Sequence, residues 1–402
     1  MLESVLFTNQ DPSKVSLNDM AIYHKIHCGI SITRQALAKR FTKEATRFSK
    51  LLFIQLLKSN LSREQETFTN TIFNRILIKD STCNQLPANL QEYYPGNGGA
   101  SSKAAVRVQF EFDLKNNEVT ELSVSAFNDQ DRENAKGTLC NIRENDLLVR
   151  DLAYTSIEIF RSIENKNAWY ISRLNNRYEV YDKDTDEIID FAKLEQYMRK
   201  HDIYIMEKSV LICSDKHPVR LVIELVPEEV KAERARKTRI KSSRKQAKTT
   251  ERSKARFGLN LFITNCTKTM ISASEIRKIY GIRWQIELIF KAWKQNSQFH
   301  KVKRMGLNRY EFLLYAKLIM ILLTWKLHQT IDKLMFKKYR QRVSVLKLYK
   351  TINQLNEEIR SMIRGEKESL AKLITHILDI AKKHLLHDDR KNRINWKNVQ
   401  NI

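Results

Sequence analysis

The stretch Tyr280-Gly-Ile-Arg283-Trp284-Gln-Ile-Glu287-Leu-Ile-Phe-Lys291-Ala-Trp293-Lys294 constrains this chain more than any other. Laid on a helix at about 100° per residue, Tyr280, Arg283, Glu287, Lys291 and Lys294 fall within roughly 80° of one another. Ile282, Ile286, Ile289, Phe290 and Trp293 gather on another face. Any fold that accepts this helix must cover its apolar side with a core. It must also keep a carboxylate, several cations and a phenol together on the other side. Taken alone, that polar side reads as a solvated surface with Arg283–Glu287 and Glu287–Lys291 pairs, each contributing about 0.2–0.5 kcal/mol.

The core is written upstream as a series of strands. Arg75-Ile-Leu-Ile-Lys79 is a short apolar run that leads into Asp80-Ser81-Thr82. It predicts a strand with Asp80 at its C-terminal end, where α/β folds build their sites. A glycine turn at 96–99 precedes residues 104–114, in which Val106, Val108, Phe110 and Phe112 alternate. Residues 119–127 form the second arm of a hairpin closed by Lys115-Asn-Asn117. Leu147-Leu-Val-Arg150 is the next strand and runs into Asp151. A helix over 156–165 and a strand over 169–174 follow. Each aspartate, taken singly, also fits a turn or a helix cap. Residues 175–227 are strand-rich, with runs at 178–181, 204–207, 210–214 and 219–226. Asp215 and His217 beside Pro218 read there as a hairpin turn. Residues 259–264 supply the last core strand. Antiparallel strands after a first strand, followed by a helix and a further strand, are what a ribonuclease-H-like α/β core would show, here with a β-rich stretch over 175–227 and helical regions at both ends.

Residues 1–70 read as helical. Ile32, Leu37, Phe41, Ala45, Phe48, Leu51, Leu52 and Ile54 recur mostly at helical spacing among Lys39, Arg40, Lys43, Arg47 and Lys50. Two readings stand open: a DNA-reading module, and a packing domain with a basic face. Residues 231–256 carry twelve Lys or Arg against two Glu, a segment that is mobile or helical, solvated and suited to a phosphate backbone. Beyond Gly306 helices are expected at 310–336, 343–360 and 367–386, with apolar faces for packing or for a second protomer. The run 313–325 contains Lys317 and reads as a buried helix. The expected organisation is a helical region over 1–70, a catalytic domain over 71–305 with its insertion and basic arm at about 175–256, and a helical region over 306–402.

With 71 Lys and Arg against 46 Asp and Glu, the net charge is +25, which suits a polyanionic partner. The five cysteines form no CxxC pair, so neither a zinc ribbon nor a disulfide framework is indicated, and a reducing cytoplasm fits. The first residues lack the basic and apolar runs of a signal peptide. No Walker loop, dinucleotide fingerprint or internal repeat is present.

The spacing Tyr280-x2-Arg283-x3-Glu287-x6-Lys294 resembles the YREK signature of the DDE transposases of the insertion-sequence "four" family. Three further segments have the same character. Leu261-Phe-Ile-Thr-Asn265 precedes the signature, Asp80-Ser-Thr-x3-Leu86-Pro87 resembles the first-aspartate motif, and Asp151-Leu-Ala-Tyr154 with Ser172-Arg173-Leu174 resembles the second. The family commonly has Gly where this chain has Ala153. The likeness covers roughly residues 75–294 and is thin at both ends.

The resemblance implies that Asp80, Asp151 and Glu287 are catalytic and bind two Mg2+ ions, with Mn2+ as a substitute. Tyr280, Arg283 and Lys294 would organise the terminal nucleotides of DNA. Lys291 shares their face geometrically and Arg173 is a further DNA contact; Trp284 sits about 20° beyond that face, away from the apolar cluster, where its ring can stack on a displaced base or pack sideways against a neighbouring element. The implied activity is cut-and-paste transposition: nicking at the element ends, a hairpin intermediate, and attack of a 3′ hydroxyl on target DNA. The implied setting is a bacterial cytoplasm, with double-stranded DNA as partner, a homodimer in the active complex and no membrane. A non-catalytic DNA-binding regulator and a nuclease without strand transfer stand as alternatives. An end-recognition role for residues 1–70 and self-association through the C-terminal helices are implied as well.

Overall fold

The computed structural model describes residues 1–7, 16–60, 72–97, 102–116, 118–245, 249–296, 300–365 and 370–386. Parts of several expected features lie outside them: residues 61–70, positions 98–99 of the glycine turn, Asn117 of the hairpin turn, 246–248 of the basic segment, and the chain after 386.

Among the described residues nine strands occur: β1 (Arg75–Leu86), β2 (Ala104–Asp113), β3 (Glu118–Ala126), β4 (Asp146–Arg150), β5 (Trp169–Arg173), β6 (Val180–Asp182), β7 (Ile205–Ile212), β8 (His217–Leu225) and β9 (Leu259–Thr264). They form one sheet in the order β3-β2-β1-β4-β5-β9-β8-β7-β6. β4 runs parallel to β1 and to β5, whereas β2 and β3 pair antiparallel. This is a ribonuclease-H-like mixed sheet, as the strand order in the sequence predicts. β9 joins β5 antiparallel, and β8, β7 and β6 continue outward in the same sense. The insertion therefore lengthens the sheet and does not build a second one.

The helices are α1 (Leu2–Phe7), α2 (Leu17–Cys28), α3 (Arg34–Lys39), α4 (Lys43–Asn60), α5 (Asp131–Gly137), α6 (Ile157–Glu164), α7 (Phe191–Lys200), α8 (Glu228–Lys245) and α9 (Glu251–Lys254). They continue with α10 (Ala273–Ile282), α11 (Trp284–Asn296), α12 (Leu307–Tyr339), α13 (Val345–Gln354), α14 (Asn356–Ile363) and α15 (Leu370–His384). The chain divides into two compact units. One contains Met1–Thr67, Asp80–Gln130 and Trp284–Asn401; the other contains Phe68–Lys79 and Asp131–Arg283.

In the first unit the N-terminal and C-terminal helices share one apolar core. Val5, Met20, Leu37 and Phe41 pack with Phe312, Met335, Leu348, Ile352 and Ile377. The Phe41 and Phe312 rings meet edge-on at 5.4 Å. Lys39, Lys43, Arg47 and Lys50 stay exposed, as the amphipathic spacing requires. The helix expected over 343–360 is broken at Leu355, and Leu348, Ile352, Leu355 and Ile359 are buried within this same core. Among the described residues no helix is long and apolar enough to cross a membrane.

In the second unit the parallel register is set by an ion pair. Arg75 stands opposite Asp146, and its guanidinium donates to both carboxylate oxygens and to the Asn141 carbonyl. Asp146 is fully buried, and bidentate pairing of this kind is what makes such burial tolerable. α6 starts at Ser156, whose hydroxyl accepts from the Ile159 N–H. α6 buries Ile159, Phe160 and Ile163, with Phe160 stacked on Tyr170 at 4.3 Å. α7 lies within the segment expected to be strand-rich. Asp190 caps it, and it buries Phe191, Glu195 and Met198. Glu195 takes Arg199 and Lys231, and a Cβ at Gly258 would meet its carboxylate at 2.2 Å. The turn between β7 and β8 carries Asp215, with Cys213 and Lys216 at positive φ.

Candidate active site

The register of β1 and β4 ends with Lys79 opposite Arg150; Asp80 follows within β1, and Asp151 follows the end of β4. Asp80 does not terminate its strand. β1 continues to Leu86, so the end expected at Lys79 marks the end of pairing with β4 and not of the extended backbone. The polar run Asp80-Ser-Thr-Cys-Asn reads locally as a turn, but the strand alternates buried Thr82, Asn84 and Leu86 with more exposed neighbours. Asp80 is half-buried and accepts a hydrogen bond from the Ser81 N–H at 2.8 Å. Arg107 reaches the Ser81 hydroxyl at 3.4 Å.

Asp151 is half-buried and precedes the 3-10 turn Leu152–Tyr154, yet its side chain makes no capping hydrogen bond to that turn. The cap reading of Asp151 is therefore excluded, and its carboxylate is not spent on local structure. Tyr154, the last residue of this turn, is buried and receives the Lys79 ammonium over its ring at 5.9 Å. The same ammonium donates to Thr138 Oγ1 at 2.8 Å.

The single helix expected through the signature is two helices. α10 ends at Ile282, Arg283 forms a turn whose N–H donates to the Tyr280 carbonyl, and α11 begins at Trp284. Tyr280 is not on an open polar face: it is 7% exposed, with its ring 5.3 Å from Phe262 and the Arg173 guanidinium over it at 5.5 Å. Burial pushes its phenol above the ordinary value, and the Asp151 charge adds to this, while Arg173 and Arg283 oppose it. Four of the sequence-predicted residues thus meet in the second unit: Asp151, Arg173, Tyr280 and Arg283.

The remaining five lie in the first unit: Asp80 on β1, and Trp284, Glu287, Lys291 and Lys294 on α11. Ile286, Ile289, Phe290 and Trp293 form the buried side of α11, as their spacing predicts. The Trp293 indole N–H donates to Tyr349 Oη at 3.2 Å, and its ring packs edge-on to Phe110 at 4.7 Å. Glu287 and Lys294 are half-buried and Lys291 is exposed. Trp284 has 46% of its surface exposed, the one large ring of α11 turned to solvent.

Asp80 and Glu287 belong to one unit and Asp151 to the other, so neither unit contains the acidic trio by itself. Among the described residues no group of three or more His, Cys, Asp or Glu side chains is arranged to hold a metal ion. In chemical type the three carboxylates suit hard divalent cations such as Mg2+, and the uncommitted Asp151 carboxylate fits that use.

Two cations of the Tyr280 neighbourhood carry no local signal in the sequence. Arg277 lies on α10, paired with Glu224 of β8. Arg234 lies on α8 and donates to the Phe257 and Leu259 carbonyls and to Asn260 Oδ1. Among its described residues the basic segment is helical over 231–245 and 251–254, and it is tied down at both ends. Lys231 and Arg234 hold its first part, and the buried Arg256 its end, where it donates to the Asn175 and Tyr178 carbonyls. Arg236, Lys237, Arg239 and Lys241 remain exposed.

Residues 72–323 match the family model described as "Transposase DDE domain". The transposase of insertion sequence element IS231B from Bacillus thuringiensis subsp. berliner is 27% identical over 376 residues, covering 89% of this chain and 78% of that protein. The transposase of IS231E from Bacillus thuringiensis subsp. finitimus is 30% identical over 367 residues, covering 84% and 76%. A solved structure of piggyBac transposase, in a synaptic complex with hairpin DNA, aligns with 97% of this chain and 86% of that one at 12% identity and a TM-score of 0.42. At that level it adds nothing to the strand order itself.

Proposed function

Because this chain belongs to the DDE transposase family, we propose that it moves an insertion sequence by metal-dependent cutting of DNA at the element ends and joining of the freed 3′ hydroxyl to target DNA. Asp80, Asp151 and Glu287 would hold two Mg2+ ions, or Mn2+ in their place, which supply activation of the attacking oxygen and neutralisation of the leaving one. The observation that carries this reading is the surroundings of Asp151. Its carboxylate makes no capping bond to the adjoining turn, and its charge reaches the Tyr280 phenol, over whose ring the Arg173 guanidinium lies at 5.5 Å. A carboxylate beside guanidinium groups is what in-line phosphoryl transfer needs: one side for cations, the other for the phosphate.

The protein's own groups have separable tasks. Arg173 and Arg283 hold phosphate oxygens, in forked fashion where geometry allows. The buried Tyr280 hydroxyl donates to a phosphate oxygen and stays protonated through neutral pH. Lys294 and Lys291 add positive charge along the scissile strand. Trp284 offers an exposed ring on which an extruded base stacks during hairpin formation. The exposed cations of α8 follow the duplex backbone without reading its sequence. The partners are then double-stranded element ends and target DNA, with a homodimer as the working complex and the bacterial cytoplasm as its setting.

The test is cleavage of an end-labelled duplex carrying the element's own termini, with Mg2+, Mn2+ or EDTA, beside an Asp151→Asn protein. Nicked, hairpin and strand-transfer products from the unaltered protein alone, lost in EDTA, support transposition. Nicking without hairpin or transfer products points to a nuclease. Binding without cleavage in either metal points to a regulator. Equal cleavage by both proteins removes Asp151 from the site.

A further inference from the structure

The neighbourhood of Tyr280 extends beyond the residues carried by the resemblance. Arg173 pairs with Phe262 across β5 and β9, and Val222 and Glu224 pair with Phe262 and Asn260 across β8 and β9. Cross-strand partners share a face, as do residues two apart on a strand. Arg173, Phe262, Asn260 and Glu224 therefore stand on one face of the sheet. Tyr280 of α10 packs on Phe262 at this face, and Arg277, one turn earlier on α10, pairs with Glu224. From α8, Arg234 donates to Asn260 Oδ1 at 2.6 Å, while Asn260 Nδ2 donates to Glu224 at 2.7 Å. The result is a continuous chain: Arg234, Asn260, Glu224, Arg277.

Four guanidinium groups, Arg173, Arg234, Arg277 and Arg283, are set here against two carboxylates, Glu224 and Asp151. Arg234 registers the excess. Burial lowers its pKa, and the charges of Arg173 and Arg277 lower it further, against Glu224. Arg173 is exposed, and the Arg277 side chain is 63% exposed. An ion pair that exposed is weak, so Arg277 can exchange Glu224 for a phosphate with little loss. Guanidinium forks suit the two free oxygens of a phosphodiester.

We propose that Arg173 and Arg277, beside the Glu224–Asn260–Arg234 chain, form an additional phosphodiester-binding site on the β5–β9–β8 face, where α8 is anchored, with Arg277 released from Glu224 as phosphate binds. The site gives the DNA backbone a hold next to Tyr280 that does not depend on sequence. The proposal rests on the DNA-acting reading above and adds Arg277 to Arg173, which that reading already uses.

The experiment is fluorescence anisotropy of the full chain with a labelled duplex of arbitrary sequence, without divalent ions, across a range of KCl concentrations. For Arg277→Ala the slope of log K against log salt should become shallower by about one, and for the Arg173→Ala/Arg277→Ala protein by about two. Glu224→Gln removes the competing carboxylate and should tighten binding by about threefold, whereas a merely structural role would weaken it as Arg277→Ala does. Replacing the exposed Lys193 of α7 (Lys193→Ala) should leave the slope unchanged. An Arg277→Ala protein of native circular dichroism with unaltered affinity and slope overturns the proposal while leaving the DNA reading intact. An unaltered protein that fails to bind duplex at low salt overturns both.

Discussion

Lys79 and Arg150 face each other as the last registered pair of the parallel strands β1 and β4, and each is followed by an aspartate. Both cations are buried, at 0% and 3% exposure. A buried cation must find polar or aromatic partners to offset its lost hydration. The Lys79 ammonium is in turn fixed by the Thr138 hydroxyl and the Tyr154 ring.

Asp151→Asn separates catalysis from folding. The side chain caps nothing, so the melting temperature should move by the equivalent of under about 0.5 kcal/mol. Cleavage should fall at least about a thousandfold, as it does when one member of a catalytic unit is removed. A large stability loss with proportionate residual cleavage would instead make Asp151 structural.

Tyr280→Phe keeps the ring against Phe262 and Arg173 and removes only the hydroxyl. Stability should change by about 1 kcal/mol or less, and DNA cleavage should fall about tenfold. Because burial and Asp151 hold the phenol above its ordinary value, the hydroxyl stays protonated from about pH 6 to pH 9. The ratio of the two rates should therefore be flat over that range; a ratio that changes with pH would show that the phenol ionises.

The two tryptophans of α11 should behave oppositely. Trp293→Ala removes a fully buried ring and the hydrogen bond to Tyr349, at a cost of about 3–5 kcal/mol by denaturant melts. Trp284→Ala, on the exposed side, should cost under about 0.5 kcal/mol. If the ring stacks on an extruded base, hairpin yield should drop about tenfold in Trp284→Ala at unchanged stability.

Glu207 carries an acid-sensitive link. Burial by itself raises its carboxyl, but hydrogen bonds from Lys268 and Arg220 outweigh this and hold it below the ordinary 4.5. A depressed carboxylate stabilises the fold above its unfolded value and loses that contribution as pH falls through the folded value. Urea melts should show Glu207→Gln costing about 1–2 kcal/mol at pH 7, with the gap closing below about pH 4. A gap constant with pH would mean that the Arg220 and Lys268 contacts do not depend on the carboxylate charge.

What depends on local pattern is legible in the chain itself. Alternation at Val106, Val108, Phe110 and Phe112 specifies a strand, because successive side chains must face opposite ways. Ile286, Ile289, Phe290 and Trp293 specify the buried side of a helix. The residue types at Asp80, Asp151, Glu287 and the Tyr280 signature are likewise legible where they stand, as is the family. Local pattern misreads where backbone and polarity disagree. β1 runs on through Asp80-Ser-Thr because pairing across the sheet outweighs the turn preference of those residues. α7 forms in a strand-rich segment because Asp190 caps it and Phe191 and Met198 have a core to enter. The helix step at Arg283 and the kink at Leu355 leave no mark in the periodicity. Tertiary structure alone decided that the insertion lengthens one sheet, and that Arg173, Arg234 and Arg277 meet around Glu224 and Tyr280. Those residues are up to about a hundred positions apart, and their meeting is fixed by strand register, which no local spacing encodes.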